Sequence, residues 1–189
     1  MTNHVELIQY LIDKFNYQSY LEIGVETGVC LLNINIPVKV GIDPAWGTPA
    51  IHLTSDEFFE DNRQIFDIIF IDGWHHAKQF YKDVMNAINC LNDGGIIVCH
   101  DCNPSTGAMQ IVPRKQLEWT GDVWKGWVQL RQRYQLKMFV LDMDYGCGII
   151  CLGWQDPLFV AEPTYSGLVE NREKWLNLKP VDYIYNFEC

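Results

Sequence analysis

FDIIFID at residues 66–72, with GWHH at 73–76 directly behind it, is the stretch that decides the architecture. A nearly continuous apolar run of this length, closed by a glycine, reads as a strand covered on both faces, because a half-exposed strand would alternate apolar with polar. Strands covered on both faces belong to sheets with helices on either side. Upstream, SYLEIG at 19–24 and VKVGID at 38–43 read as two more strands, and GVCLLNI between them fits a short helix. AIHLT at 50–54 suggests a brief third strand, after which Thr54 and Glu57 form a capping box that opens a helix over SDEFFEDNR. Before all of these, Val5, Ile8, Leu11, Ile12 and Phe15 recur at helical spacing behind Thr2 or Asn3 as N-cap.

Downstream, Phe80, Val84, Ala87, Ile88 and Leu91 predict a helix from His76 to Leu91, stopped by Asn92, Asp93, Gly94 and Gly95. GIIVCHD at 95–101 is then the fifth strand, with FDIIFID the fourth. Residues 103–120 keep no period and carry two prolines, so they read as a long functional loop. A helix over 122–134, the strand LKMFVLD and a hairpin through YGCGIICLGW complete the pattern, and the tail from 157 is rich in Tyr, Trp, Phe and Pro. This order predicts an α/β, Rossmann-like doubly wound sheet, mostly parallel with a C-terminal antiparallel hairpin. One unit is expected over 1–189, with a core of about 17–154 and residues 155–189 as an extension.

Fourteen Lys and Arg against 24 Asp and Glu give a net charge of −10, a field that repels phosphate backbones and anionic lipid heads. Nucleic acid and membranes are therefore not the expected partners. No apolar run is long enough to span a bilayer, and MTNHVELIQY lacks a basic region followed by an apolar stretch, so the expected location is cytoplasmic. Seven cysteines, an odd number scattered through strands and helices, read as reduced thiols, and the Cys99–Cys102 pair reads as packing and not as a redox motif.

Ligands of such sheets bind beyond the carboxyl ends of the strands, so the residues there carry the functional information. Behind the first strand, Gly24 and Gly28 flank a turn, but Glu26 stands where a dinucleotide fingerprint needs glycine, which disfavours a nicotinamide dehydrogenase. Asp43 follows Gly24 by 19 residues and either accepts from ribose hydroxyls or caps the turn before Pro44. The fourth and fifth strands end in Asp72-Gly73-Trp74-His75-His76 and His100-Asp101-Cys102-Asn103, bringing Asp and His to one edge twice. Asp72 and Asp101, with Asn103 or an imidazole, could hold a divalent cation, or the cluster could present a general base. His76 opens the helix and is expected to point away or cap it. Asp122 reads as an N-cap and Trp124 as core, whereas Asp142 and Asp144 could face the site or solvent.

YLEIGVETG, KVGIDPAW, SDEFF, FDIIFIDGWHH, LNDGGIIVCHDCNP, GDVWK and LDMDYGCGII, in that order, resemble the class I S-adenosylmethionine-dependent methyltransferases. The closer resemblance is to a small bacterial branch with IDGxH and HDCNP strand ends, related to sugar and macrolide O-methyltransferases. It implies a seven-stranded methyltransferase fold in which Glu22, Gly24 and Gly28 shape the methionine pocket of S-adenosylmethionine and Asp43 holds its ribose. Ser55 and Asp56 would lie by the adenine or cap their helix, and Asp72 would border the cofactor. His75, Asp72 and Asp101 are the implied catalytic residues, with His75 taking the acceptor's proton as an imidazole of ordinary pKa, about 6.5. Mg²⁺ or another divalent cation would sit on Asp72 and Asp101. Cys102 stands where relatives carry a second carboxylate or Asn, and a thiol is a poor magnesium ligand.

The implied reaction is O-methylation of a small polar hydroxyl compound such as a sugar or saccharide precursor, and a homo-oligomer is compatible with it. Two alternatives stay open: a different metal-assisted reaction on the same fold, as in hydroxylase-like relatives, and a non-catalytic nucleoside-binding module.

Overall fold

A computed structural model describes residues 1–45 and 49–189. In chain order the elements are α1 (His4–Phe15), β1 (Ser19–Ile23), α2 (Val29–Asn33), β2 (Val38–Ile42), α3 (Ser55–Asp61), β3 (Phe66–Ile71) and α4 (Ala77–Asn89). They continue as β4 (Leu91–Cys99), α5 (Val123–Leu130), β5 (Leu136–Leu141), β6 (Cys147–Leu152), α6 (Tyr165–Leu176), β7 (Leu178–Lys179) and a 3₁₀ helix (Val181–Asn186). The strands form one seven-stranded sheet in the order β2-β1-β3-β4-β6-β5-β7. β2, β1, β3 and β4 run parallel, β6 is antiparallel to both β4 and β5, and β7 is parallel to β5.

The apolar run of β3 works as expected, because successive side chains leave opposite faces of the sheet. Ile69 and Ile71 enter a core shared with Leu21, Ile97 and the helices α4 and α5. Ile68 and Phe70 enter the opposite core with Tyr20, Val98 and α1. Trp124 and Trp127 of α5 are fully buried in the first of these. Asn3 caps α1, accepting from the Glu6 backbone N–H, and Thr54 with Glu57 forms the expected capping box on α3. All seven cysteines are free thiols. Among the described residues no helix is long and apolar enough to cross a membrane.

Three expectations need correction, and the tail shows elements that the sequence does not assign. AIHLT forms no strand: Ile51 makes only a single parallel bridge to Ile42, the segment being too short and too exposed to extend the ladder. β4 begins at Leu91 and not at Gly95, because Leu91 pairs with Phe66 and the Asn-Asp-Gly-Gly stretch is carried through an irregular register. YGCGIICLGW supplies one strand, β6, with β5 as its hairpin partner. The tail is structured: α6 packs Leu168 and Leu176 into the core, β7 borders β5, and Lys14 of α1 donates to the carbonyls of Ile184, Tyr185 and Phe187. The seventh strand of the sheet is therefore β7.

Asp83 is an acid in the wrong medium. It lies on the core side of α4 at 1% exposure, with the Gln79 amide donating to it at 2.9 Å, and burial raises its pKa to about 6. A carboxyl whose folded pKa exceeds its unfolded value of about 3.9 holds its proton better in the folded chain, so stability falls as pH rises from about 4 to about 6. Above that range the cost is fully present. Asp83→Asn should therefore raise unfolding stability at pH 8 by roughly 1–3 kcal/mol and gain much less at pH 4. Denaturant unfolding at the two pH values checks this, and a loss at pH 8 would mean that the ionised carboxylate is needed.

Candidate active site

The carboxyl ends of β1, β2 and β3 open onto a cavity of about 770 Å³, roofed by part of the 103–120 loop. Its floor is the turn behind β1. Gly24 has φ of +89°, and a Cβ there would lie 2.2 Å from the carbonyl oxygen of Asp72, so only glycine permits this approach of the β1 turn to the end of β3. Glu26 also adopts a left-handed conformation, φ +47°, so the turn keeps its shape without the glycine of a dinucleotide fingerprint. Gly28, at φ +82°, leads into α2.

Asp43 fastens this turn to β2. Its Oδ2 accepts from the backbone N–H groups of Val25 and Glu26, at 3.0 and 2.8 Å, and its Oδ1 from Ala45 at 2.8 Å, while the side chain also lines the cavity. The turn-capping role foreseen for it is seen in the bond from Ala45. Glu22 lines the cavity at the end of β1, almost fully buried, and accepts from the Tyr20 hydroxyl at 2.5 Å. Burial lifts its pKa to about 7, more than its hydrogen bonds from Tyr20 and Cys30 bring it down. Ser55 and Asp56 line the far wall; Thr54 does the capping of α3, which leaves both free to be held by the Gln79 amide at 3.2 and 3.0 Å. Asp56 also pairs with Lys82 at 2.7 Å.

Asp72, His75 and Asp101 come together as a compact group, with Asp72 and His75 lining the cavity and Asp101 buried behind them. His75 Nδ1 lies 2.9 Å from Asp101 Oδ2, and Nε2 lies 3.4 Å from Asp72 Oδ1. The ring stacks on Trp119, 5.1 Å between centroids and 8° from parallel, and Gly121 lies against the His75 carbonyl so closely that a Cβ would reach 1.9 Å from its oxygen. Burial favours the neutral ring, but the two carboxylates overcome it and raise the pKa of His75 to about 10. An ordinary imidazole pKa was therefore the wrong expectation: flanking carboxylates, invisible as such in the sequence, hold the proton. Burial likewise opposes ionisation of Asp72, yet His100 and His75 keep its carboxyl well below the usual range.

The polar contacts continue past the foreseen group. His100 Nδ1 stands 3.4 Å from Asp72 and 3.5 Å from Asp101, while its Nε2 faces Asp144 Oδ2 at 3.4 Å. Asp144 in turn meets His4 Nδ1 at 2.7 Å. Carboxylates and imidazoles thus alternate from His75 to the first turn of α1. His4 and Trp119 were not foreseen; neither stands at a strand end, and only the tertiary packing of α1 and of the 103–120 loop delivers them.

Asn103 departs from its expected place, while Asp122 and His76 take the expected N-cap positions without capping their own helices. Asn103 does not join Asp72 and Asp101: its amide donates to Asp142 at 3.0 Å and its oxygen accepts from Arg172, beside a separate polar depression. Asp122 occupies the N-cap position of α5 without a side-chain bond to it and instead accepts from Ala77 N–H at 2.7 Å, capping α4. His76, in the N-cap position of α4, makes no capping bond, and its ring lies beside Trp74.

Residues 47–102 match the family described as "Methyltransferase domain". No curated protein matches the sequence. Among solved structures, an S-adenosylhomocysteine-bound methyltransferase from Podospora anserina aligns with a TM-score of 0.62 and 16% identity over 80% of this chain and 78% of its own. An O-methyltransferase from Bacillus cereus in complex with S-adenosylhomocysteine aligns with a TM-score of 0.56 and 14% identity over 77% and 78%. The S-adenosylmethionine complex of an O-methyltransferase from Streptomyces achromogenes, involved in tomaymycin synthesis, gives 0.56 and 14% over 78% of each. The fold is the Rossmann-like fold of these methyltransferases, and the family match lies across the segment from the β2 exit to the β4 exit.

Proposed function

We propose that the chain is an S-adenosylmethionine-dependent O-methyltransferase whose donor lies in the cavity behind β1 and β2 and whose acceptor is a small polar hydroxyl compound. The observation that carries this reading is that the Gly24 turn, Asp72 and His75 line one cavity, with Asp101 buried behind His75 at 2.9 Å. The turn lets a donor come close to backbone, and the group beside it can handle the acceptor's proton. Glu22 faces the donor's ammonium, Asp43 the ribose, and Ser55 and Asp56 the adenine.

In the reaction the acceptor oxygen attacks the sulfonium methyl carbon in line; the C–S bond electrons return to sulfur, leaving a neutral thioether, as the O–C bond forms. The acceptor's hydroxyl proton passes to His75 in its neutral form, held by Asp101 and Asp72; because those carboxylates raise its pKa to about 10, turnover should climb as pH rises toward that value. Most of the rate comes from holding oxygen, carbon and sulfur in line. Asp72, Asp101 and one nitrogen of His75 have donor atoms close enough for a divalent cation, which would polarise the acceptor hydroxyl. Asn103 is not among those donors. Sugars or saccharide precursors suit the acceptor end, where the exposed indole of Trp74 offers an apolar face and the carboxylates offer acceptors for hydroxyls.

Calorimetry with S-adenosylmethionine and S-adenosylhomocysteine, followed by a methyl-transfer assay on sugars and phenols, tests the reading. Absence of donor binding overturns it, and binding without turnover on any acceptor leaves a nucleoside-binding module.

Glu22 gives the donor site a pH signature. The donor's ammonium favours the carboxylate form, and the free protein carries Glu22 protonated below about pH 7. Donor affinity should therefore be full above pH 7 and fall on acidification, approaching tenfold per pH unit. Glu22→Gln should bind more weakly and lose the slope. A wild-type affinity flat from pH 5 to 8 would remove Glu22 from the donor contact.

A further inference from the structure

We propose that His4, His100 and Asp144 form a separate cation site that takes a first-row transition ion of the zinc class. The three residues come from the first turn of α1, the end of β4 and the turn between β5 and β6, and one ligand atom of each lies within 4.8 Å of the others. Asp144 Oδ2 is the hub, 3.4 Å from His100 Nε2 and 2.7 Å from His4 Nδ1. Donors about 2.1 Å from a tetrahedral ion lie about 3.4 Å apart. The first distance already fits, and the second, a hydrogen bond, must open by about 0.7 Å.

An independent feature points to a ligand. His100 Nε2 is a buried atom with no hydrogen-bond partner, on a side chain only 10% exposed, and it faces this group. The other nitrogen of the same ring stands against Asp72 and Asp101. That is the carboxylate–histidine arrangement that fixes a ring for metal binding; the surrounding carboxylates favour the protonated ring, so an ion on Nε2 would displace a proton there. His4 is fixed as well, stacked on Phe70 with 5.2 Å between centroids.

Two imidazoles and one carboxylate favour Zn²⁺, Co²⁺ or Fe²⁺ over Mg²⁺, which prefers oxygen donors throughout. Three protein ligands leave a coordination position open, and His4 also lines the large cavity, so the ion would sit in its wall. This site differs from the Asp72, His75 and Asp101 group in ligands and in the ion it selects, and it stands whether or not the chain transfers methyl groups.

Titration of the metal-free full-length protein with Zn²⁺, followed by calorimetry and by the visible spectrum of Co²⁺ as a stand-in, tests the proposal without any activity. One Zn²⁺ should bind with the affinity reduced at least about tenfold in His4→Phe, which keeps the stacking on Phe70, and in Asp144→Asn. His75→Ala, which removes a ligand of the other group and none of this one, should retain that Zn²⁺ and the Co²⁺ spectrum. Binding no tighter than millimolar, binding unchanged in His4→Phe, or binding lost in His75→Ala but kept in His4→Phe would each overturn it. Circular dichroism of His4→Phe keeps a folding failure from passing as a lost ligand.

Discussion

His75→Ala is expected to lower methyl transfer by about 10²–10⁴ while changing the dissociation constant of S-adenosylhomocysteine only a few-fold. The substitution removes the ring that, when neutral, takes the acceptor's proton and, when protonated, is the positive partner of two carboxylates 2.9 and 3.4 Å away. It touches neither the Gly24 turn nor Glu22. His76→Ala should do far less, since that ring only lies beside Trp74. Single-turnover rates with donor in excess, measured beside donor binding, separate the two effects. Equal losses from both substitutions, or a His75 variant that no longer binds the donor product, would assign the pair to holding the loop and place the proton acceptor elsewhere.

Gly24→Ala should damage both halves of the cavity at once. The added methyl would sit 2.2 Å from the Asp72 carbonyl oxygen and 2.6 Å from the Gly73 Cα, both backbone atoms, in a conformation of φ +89° that alanine adopts at a cost. Relief requires the turn behind β1 to separate from the exit of β3, which carries Asp72 and His75. Roughly 2–4 kcal/mol of unfolding stability should be lost. Donor affinity should drop at least about tenfold, because the turn that the donor rests on has moved. Chemical denaturation and calorimetry measure the two losses. Normal donor binding in a destabilised variant would show that the turn is structural and that the donor lies elsewhere.

Periodicity carried the fold because the strands that matter are buried on both sides. FDIIFID cannot be a half-exposed strand, and its Ile and Phe side chains do divide between two cores. Where the signal was local composition and not period, it misled: Asn92 to Gly95 has the makeup of a loop, yet Leu91 pairs with Phe66 and draws the segment into β4. The tail concealed α6 and β7 because its apolar residues follow no sustained spacing, and docking onto β5 supplies the order. In the site, the strand-end rule found Asp72, His75 and Asp101, since topology alone puts adjacent parallel strands' ends together. It could not find His4 or Trp119, which arrive from a helix start and a loop, and it left Asp144, on a hairpin turn, open between site and solvent. It also could not reveal that His75 stands between two carboxylates, because a pKa is set by neighbours in space.

The two-residue β7 has a consequence for how the molecule behaves in a crowded solution. An outer strand offers unpaired N–H and C=O groups to any passing chain, and a long apolar one invites sheets to join. Here Leu178–Lys179 lies over the end of β5, whose sequence is LKMFVL, and Pro180 follows at once with no N–H to give. The short charged strand and its proline act as a guard rail against fibrous self-association. Stripping away the tail would leave β5 as a bare apolar border, and clumping would follow from a part of the chain remote from the chemistry.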